Sequence, residues 1–211
     1  MNEAPLDVPS PIDLRDMHDA RQWAQTAPAR PGRQECLDLF ASMIAGAGAS
    51  VTRVLELGSG PGFLAERVLQ ATSTAFEYVA LDFSAAMHTL ARERLGALAS
   101  RVRFVERSFK EADWMTGLGQ FDWVLTHQAV HELRHKRHAL ALHAQVLGVL
   151  RPQGSYVVCD HFCGASGMTN DQLYMSLDEK ERTLSQAGFD DISLRLLRGS
   201  LAMHQARKPV H

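Results

Sequence analysis

The chain has 211 residues and a mass of 23.3 kDa, with 45% apolar and 22% charged residues. That balance fits one soluble globular domain with a full core, and it excludes a disordered chain or a stapled mini-protein. Lys and Arg number 22 against 24 Asp and Glu, a formal net charge of −2, so bulk positive charge cannot hold nucleic acid or an anionic membrane. Ten histidines make the charge soft below about pH 6.5.

Residues 1–32 are polar, acidic and proline-bearing, and they read as an N-terminal arm or lid, with a short helix around Arg21–Ala24. They lack the basic and apolar regions of a signal peptide, and no apolar run has the roughly 18 residues a membrane span needs. Cytoplasm is the expected compartment. The three cysteines, Cys36, Cys159 and Cys163, have no framework spacing, which argues for reduced thiols.

From Arg33 to Ala47 the apolar residues fall at helical spacing. Short β-rich runs at 51–57, 76–81, 101–106, 121–126 and 154–160 then alternate with helix patterns at 61–70, 84–98 and about 134–150. Pro61 suits the first position of its helix, Ser84 suits an N-cap, and the third pattern stops at Arg151-Pro152. Ser176-Leu-Asp-Glu179 is a capping box opening a further helix that ends at Gly188. Two last runs, 190–196 and 200–207, are joined by so few residues that they must pair antiparallel. The expected fold is α/β: a Rossmann-like, doubly wound, mostly parallel seven-stranded sheet with a C-terminal antiparallel hairpin.

The sharpest signal lies between the first strand and the next helix. It reads Glu56-Leu57-Gly58-Ser59-Gly60-Pro61-Gly62. Glycines there let the backbone turn sharply and lie against a ligand. A dinucleotide fingerprint would need its third small residue at 63, where Phe63 stands. An acid followed by G-x-G-x-G, then an acid ending the second strand at Asp82, resembles the class I S-adenosylmethionine-dependent methyltransferases. The resemblance runs from about Arg33 to the C-terminus and implies that residues 33–211 form the methyltransferase domain.

It further implies S-adenosylmethionine as cofactor, with S-adenosylhomocysteine as product. Gly58, Ser59, Gly60 and Gly62 would pack on the methionine and ribose, Glu56 would lie near the ammonium, and Asp82 beside Phe83 would accept the ribose hydroxyls. A carboxylate can take two hydroxyl bonds at once, so the chemistry of Asp82 agrees with that role. The family's adenine-binding acid is replaced here by Ser108, followed by Phe109, with Asp113 or Trp114 as further candidates.

Five histidines fall between 127 and 143. His131-Glu132-Leu133-Arg134-His135 matches the zinc-protease pattern H-E-x-x-H, but the cationic neighbours Arg134, Lys136 and Arg137 oppose a metal, and none is expected. His127 and His131 follow the fourth strand, where ligands of such sheets sit. Either suits a catalytic base that removes the acceptor's proton. His135, His138 and His143 read as a solvated helix face, as do the scattered arginines and the run 134–138.

A small molecule leads as methyl acceptor, with no membrane partner and a homodimer admissible. The Asn/Asp-Pro-Pro-aromatic motif of nucleic-acid amino methyltransferases is missing at Thr126–Ala129, so nucleic acid is disfavoured. Cys159 with Cys163, weighed as a cytosine nucleophile or a soft-element site, lacks a supporting motif. A non-catalytic S-adenosylmethionine-binding sensor or partner protein is the alternative, then a nucleic-acid methyltransferase. Trp23 and the segment 161–174 are the candidate covers of the acceptor pocket.

Overall fold

The computed structural model describes residues 6–73 and 76–210. Seven strands form one sheet: β1 Arg53–Leu57, β2 Glu77–Asp82, β3 Val102–Glu106, β4 Phe121–His127, β5 Leu150–His161, β6 Asp190–Arg198 and β7 Leu201–Arg207. Their order is β3-β2-β1-β4-β5-β7-β6, parallel except where β7 pairs with β5 and β6. The expected fold and its terminal hairpin are therefore present, with Gly199 in the left-handed region at the turn (φ 53°). The chain leaves β1 toward β2 and β3, then returns to β4 on the other side. Ligands of open α/β sheets collect at that switch, beyond the strands' carboxyl ends.

Alternation along β1 sends Leu55 and Leu57 to one face and Val54 to the other. On the first face lie α5 (Ala139–Val149) and α6 (Leu177–Gln186), which bury Leu142, Val146 and Leu184 against Val124 and Tyr156. On the second lie α2 (Arg33–Ala47) and α3 (Phe63–Ala71), bringing Phe40, Leu37 and Leu64 against Leu125 and Val157. A smaller cluster joins α1 (Met17–Thr26) to α4 (Ala85–Leu95) through Ala20, Ala24, Met87 and Leu90. Among the described residues no helix is long and apolar enough to cross a membrane.

Several boundaries differ from the sequence pattern for local reasons. The first crossover helix starts at Phe63, because Gly62 is its left-handed N-cap and Pro61 lies in the loop before it. α4 begins on Ser84, whose Oγ accepts from the Met87 amide at 3.0 Å, and stops at Gly96 (φ 53°). The pattern read at 134–150 is interrupted by Arg134 in the left-handed region, so only 139–149 is α-helical, preceded by two short 3₁₀ turns. β5 starts at Leu150 rather than 154, with a register shift opposite Phe121–Trp123 that absorbs Pro152. The capping box at Ser176 and Glu179 is complete in both directions.

The histidine face is corrected too. His143 is a core residue, 1% exposed, its ring 5.5 Å from that of Tyr156, and His135 is also buried. The H-E-x-x-H run is not one helical face: His131 sits in a 3₁₀ turn and the Nδ1 of His135 accepts from the Arg137 amide. Arg134 is not surface either. It holds the arm, donating from Nε to the Val8 carbonyl (2.9 Å) and from Nη2 to that of Pro9, while the Val8 amide donates to its own carbonyl (2.8 Å). Arg137 and His138 grip Asp7 next door.

Candidate active site

A cleft opens at the switch point between β1 and β4. The glycine loop makes its floor. A Cβ on Gly58 would come 2.4 Å from the Cβ of Ala129, so the two loops close only because residue 58 has no side chain. Gly58 and Ser59 both donate to the carbonyl of Leu81, tying the loop to the end of β2. Gly60 then donates its amide to Asp82 Oδ2 at 2.8 Å, and Ser84 donates to Oδ1 at 3.0 Å. Each oxygen keeps lone-pair capacity for a ligand hydroxyl. Burial raises the Asp82 carboxyl to about 6, against the pull of these backbone amides.

Glu56 is buried at the end of β1, where Tyr78 donates its hydroxyl to Oε2 at 2.8 Å. Burial raises its carboxyl to about 8, with Tyr78 lowering it and Asp82 raising it further. Such a group is protonated at neutral pH until a cation arrives. Glu56, Gly58, Ser59, Gly60, Asp82, Phe83 and Phe109 all line this one cleft. Gly62 does not; it caps α3 and meets Ala91 of α4. Ser108 lines an adjoining groove that shares Phe83, Phe109 and Glu132 with the cleft. Trp114 is fully buried, donating its indole N–H to Gln145 at 2.9 Å, so it is core rather than a stacking partner.

The opposite wall comes from the end of β4 and the turn after it, with the end of β5 packed behind His131. His131 donates Nδ1–H to Asp160 Oδ1 (2.7 Å) and its amide to Oδ2 (2.8 Å), and its Nε2 lies 3.3 Å from Glu132. Burial opposes a charge on this ring, but Asp160 and Glu132 outweigh it and raise it to about 9. Despite burial, the His131 ring, with Lys180 and His161 behind it, holds the Asp160 carboxyl well below its ordinary range. His131, His161 and Tyr174 stand as three mutually adjacent rings with centroids 5.7–5.8 Å apart.

A second polar chain supports that wall. Arg33 donates Nη1–H to Gln128 Oε1, Gln128 donates to His161 Nε2 (3.2 Å), and His161 Nδ1 donates to Ser200 Oγ (2.7 Å). Gln128 adopts φ 55°, a costly conformation for a non-glycine residue, of the kind that collects at functional sites. Arg33, 3% exposed, lies 5.2 Å over the ring of Trp23, and both side chains border the cleft. His127 also borders it, but its buried Nε2 has no hydrogen-bond partner. Burial and then Arg33 lower that ring to about 3. Asp160, His161, Gln128 and Arg33 were not singled out from the sequence. Only the Asp160-His161 pair ending a strand could have marked two of them.

Residues 54–154 match the family model described as a methyltransferase domain. That match spans just under half of the chain. No curated protein matches the chain in sequence. Among solved structures, an O-methyltransferase family protein from Burkholderia thailandensis aligns at TM-score 0.70 and 19% identity over 83% of this chain and 56% of its own. Human N-acetylserotonin methyltransferase, solved with S-adenosylmethionine, aligns at 0.68 and 16% over 93% and 57%. Phosphoethanolamine N-methyltransferase 2 of Haemonchus contortus aligns at 0.69 and 15% over 94% and 60%. The chain thus shares its fold with all three, and it spans between half and two thirds of their lengths.

Proposed function

We propose that the chain transfers a methyl group from S-adenosylmethionine to a small-molecule acceptor. The observation that carries this is the pairing, in one cleft, of Glu56 and Asp82 around the glycine loop with the His131–Asp160 dyad on the facing wall. When bound, the cofactor supplies a methyl on a sulfonium, already activated for in-line displacement. Glu56 faces the ammonium, Asp82 accepts the ribose hydroxyls, and Gly58, Ser59 and Gly60 line the path between them. Phe83 and Phe109 flank the adenine end, and Ser108 reaches it from the adjoining groove.

His131 takes the proton that the acceptor loses, and Asp160 positions the ring through two bonds. His127 is not assigned this role, because a ring lowered to about 3 is a poor proton acceptor. With His131 raised to about 9, only about 1% of it is neutral at pH 7. Turnover then rises with pH, roughly tenfold per unit, until about 9. The acceptor lies between Trp23, Arg33, Gln128 and His131, and it carries a proton to lose.

Labelled methyl incorporation into a metabolite extract tests the reading. The wild-type chain should label a small molecule, and His131→Ala should lose about 10²–10⁴-fold in turnover while still binding S-adenosylhomocysteine. Equal labelling by both proteins would remove His131 from the mechanism. Homocysteine-form binding with no labelling across the extract would favour a non-catalytic binding protein instead.

A further inference from the structure

Beside the cleft, outside the cofactor path, three side chains from distant parts of the chain converge. Cys36 comes from α2, His127 from the last position of β4 and Cys159 from β5. All three are buried, both cysteines are free, and the two sulfurs and one His127 ring nitrogen lie within 4.8 Å of one another. The Cys159 thiol donates to the Cys36 sulfur at 3.4 Å. The Nε2 of His127 is buried with no hydrogen-bond partner, a costly condition that an ion held on that nitrogen would relieve.

We propose that Cys36, His127 and Cys159 form a binding site for a zinc ion. Zinc takes sulfur at about 2.3 Å and imidazole nitrogen at about 2.0 Å, most often in a tetrahedron. Sulfurs 3.4 Å apart, each about 2.3 Å from one ion, subtend roughly 95° there. At that angle the two sulfurs leave room on the ion for His127 as a third ligand. Three protein ligands with a fourth position open is the pattern of zinc sites that accept water or a substrate atom.

Charge supports the assignment. Uptake of one ion forms two zinc–sulfur bonds as each thiol gives up its proton, while His127 binds neutral. Two thiolates and Zn²⁺ sum to zero, so the nearby Arg33 meets no added net charge. Asp160 and Lys180 act on Cys159, and Glu35 acts on Cys36, so the surroundings carry both signs. A disulfide is the competing fate of two adjacent thiols. It would need the sulfurs to close to about 2.05 Å and would leave His127 Nε2 still unpartnered. Occupied, the site would pin α2, which carries Arg33, to the ends of β4 and β5.

The test uses the full chain, reduced and stripped of metal, titrated with Zn²⁺ against a chromogenic chelator. One equivalent should bind with release of two protons, and Co²⁺ in its place should show thiolate-to-metal charge-transfer absorption. Cys36→Ser and Cys159→Ser should each lose at least about 100-fold in affinity and lose that absorption. Cys163→Ser, whose sulfur is not part of the cluster, should bind as wild type. Wild-type proton release needs no variant, so it decides the matter even if a serine variant folds poorly. No stoichiometric uptake, Cu⁺ uptake without Zn²⁺, or undiminished binding in both serine variants would overturn the proposal. So would recovery of a Cys36–Cys159 disulfide from protein that takes up no zinc once reduced.

Discussion

The two walls of the cleft are built on different principles. The β1–β2 wall is made by backbone: Gly58, Ser59 and Gly60 bond to Leu81 and Asp82, all within 25 residues of chain. The β4–β5 wall is made by side chains, with Asp160 reaching 29 residues back to His131 and Arg33 reaching 95 residues forward to Gln128. Local backbone geometry leaves a spacing that any reader of the chain can find. Side-chain convergence leaves none. A wall of the first kind suits a ligand common to many proteins, and one of the second kind can be remade for each acceptor.

The largest effect that would break this contrast is at Asp160. Asp160→Ala leaves the His131 charge buried without its partner and should cost about 3–5 kcal/mol in urea unfolding. A loss under about 1 kcal/mol would mean that the β4–β5 wall does not rest on this pair.

Gly58→Ala is the counterpart on the backbone wall. Its Cβ collides with Ala129 at a left-handed position, and about 2–4 kcal/mol of stability should go. Adding Ala129→Gly should return the steric part of that loss. Failure of the second change to rescue would show that the loop is set by something other than this contact.

The pH dependence sharpens the contrast between neighbouring histidines. Burial lowers His88, His161 and His204 to about 4, and His127 and His143 to about 3. The unfolded chain takes up protons on these rings near 6.5 while the folded chain does not, so their stability is present above 6.5 and lost as pH falls. His131 has the opposite sign: its contribution is full below 6.5 and lost as pH rises through about 9. Melting temperature should therefore peak near neutral pH and fall more steeply on the acid side. A flat profile from pH 7 to 5 would contradict the buried, neutral state of those five rings.

The smallest effect concerns the arm. Arg134→Met removes the two bonds to Val8 and Pro9 and should cost about 1–2 kcal/mol while speeding proteolysis within residues 7–15. Unchanged proteolysis would show that Arg134 does not anchor the arm.

What the sequence made legible follows the same division. The strands, the terminal hairpin and the Glu56–Asp82 wall were readable because period, capping and glycine spacing are local signals. His131 was readable by position, but its partner Asp160 was not, because nothing in the chain links residues 131 and 160 before the sheet aligns β4 with β5. The solvated reading of His143 failed because a histidine in a helix gives no hint that the facing strand offers Tyr156. The H-E-x-x-H run drew attention to residues that the fold keeps apart. Cys36, His127 and Cys159 share no motif, and the fold alone brings them together.

The central claim is that the cleft holds an S-adenosyl ligand by Glu56 and Asp82. Calorimetric titration with S-adenosylhomocysteine at pH 7, repeated in two buffers of different ionisation enthalpy, tests it most directly. The expected result is one-to-one binding that releases close to one proton, as the ligand's ammonium ionises a Glu56 carboxyl otherwise raised to about 8. Asp82→Ala should weaken that binding by roughly 10–100-fold. Binding of NAD with no heat from S-adenosylhomocysteine would contradict it.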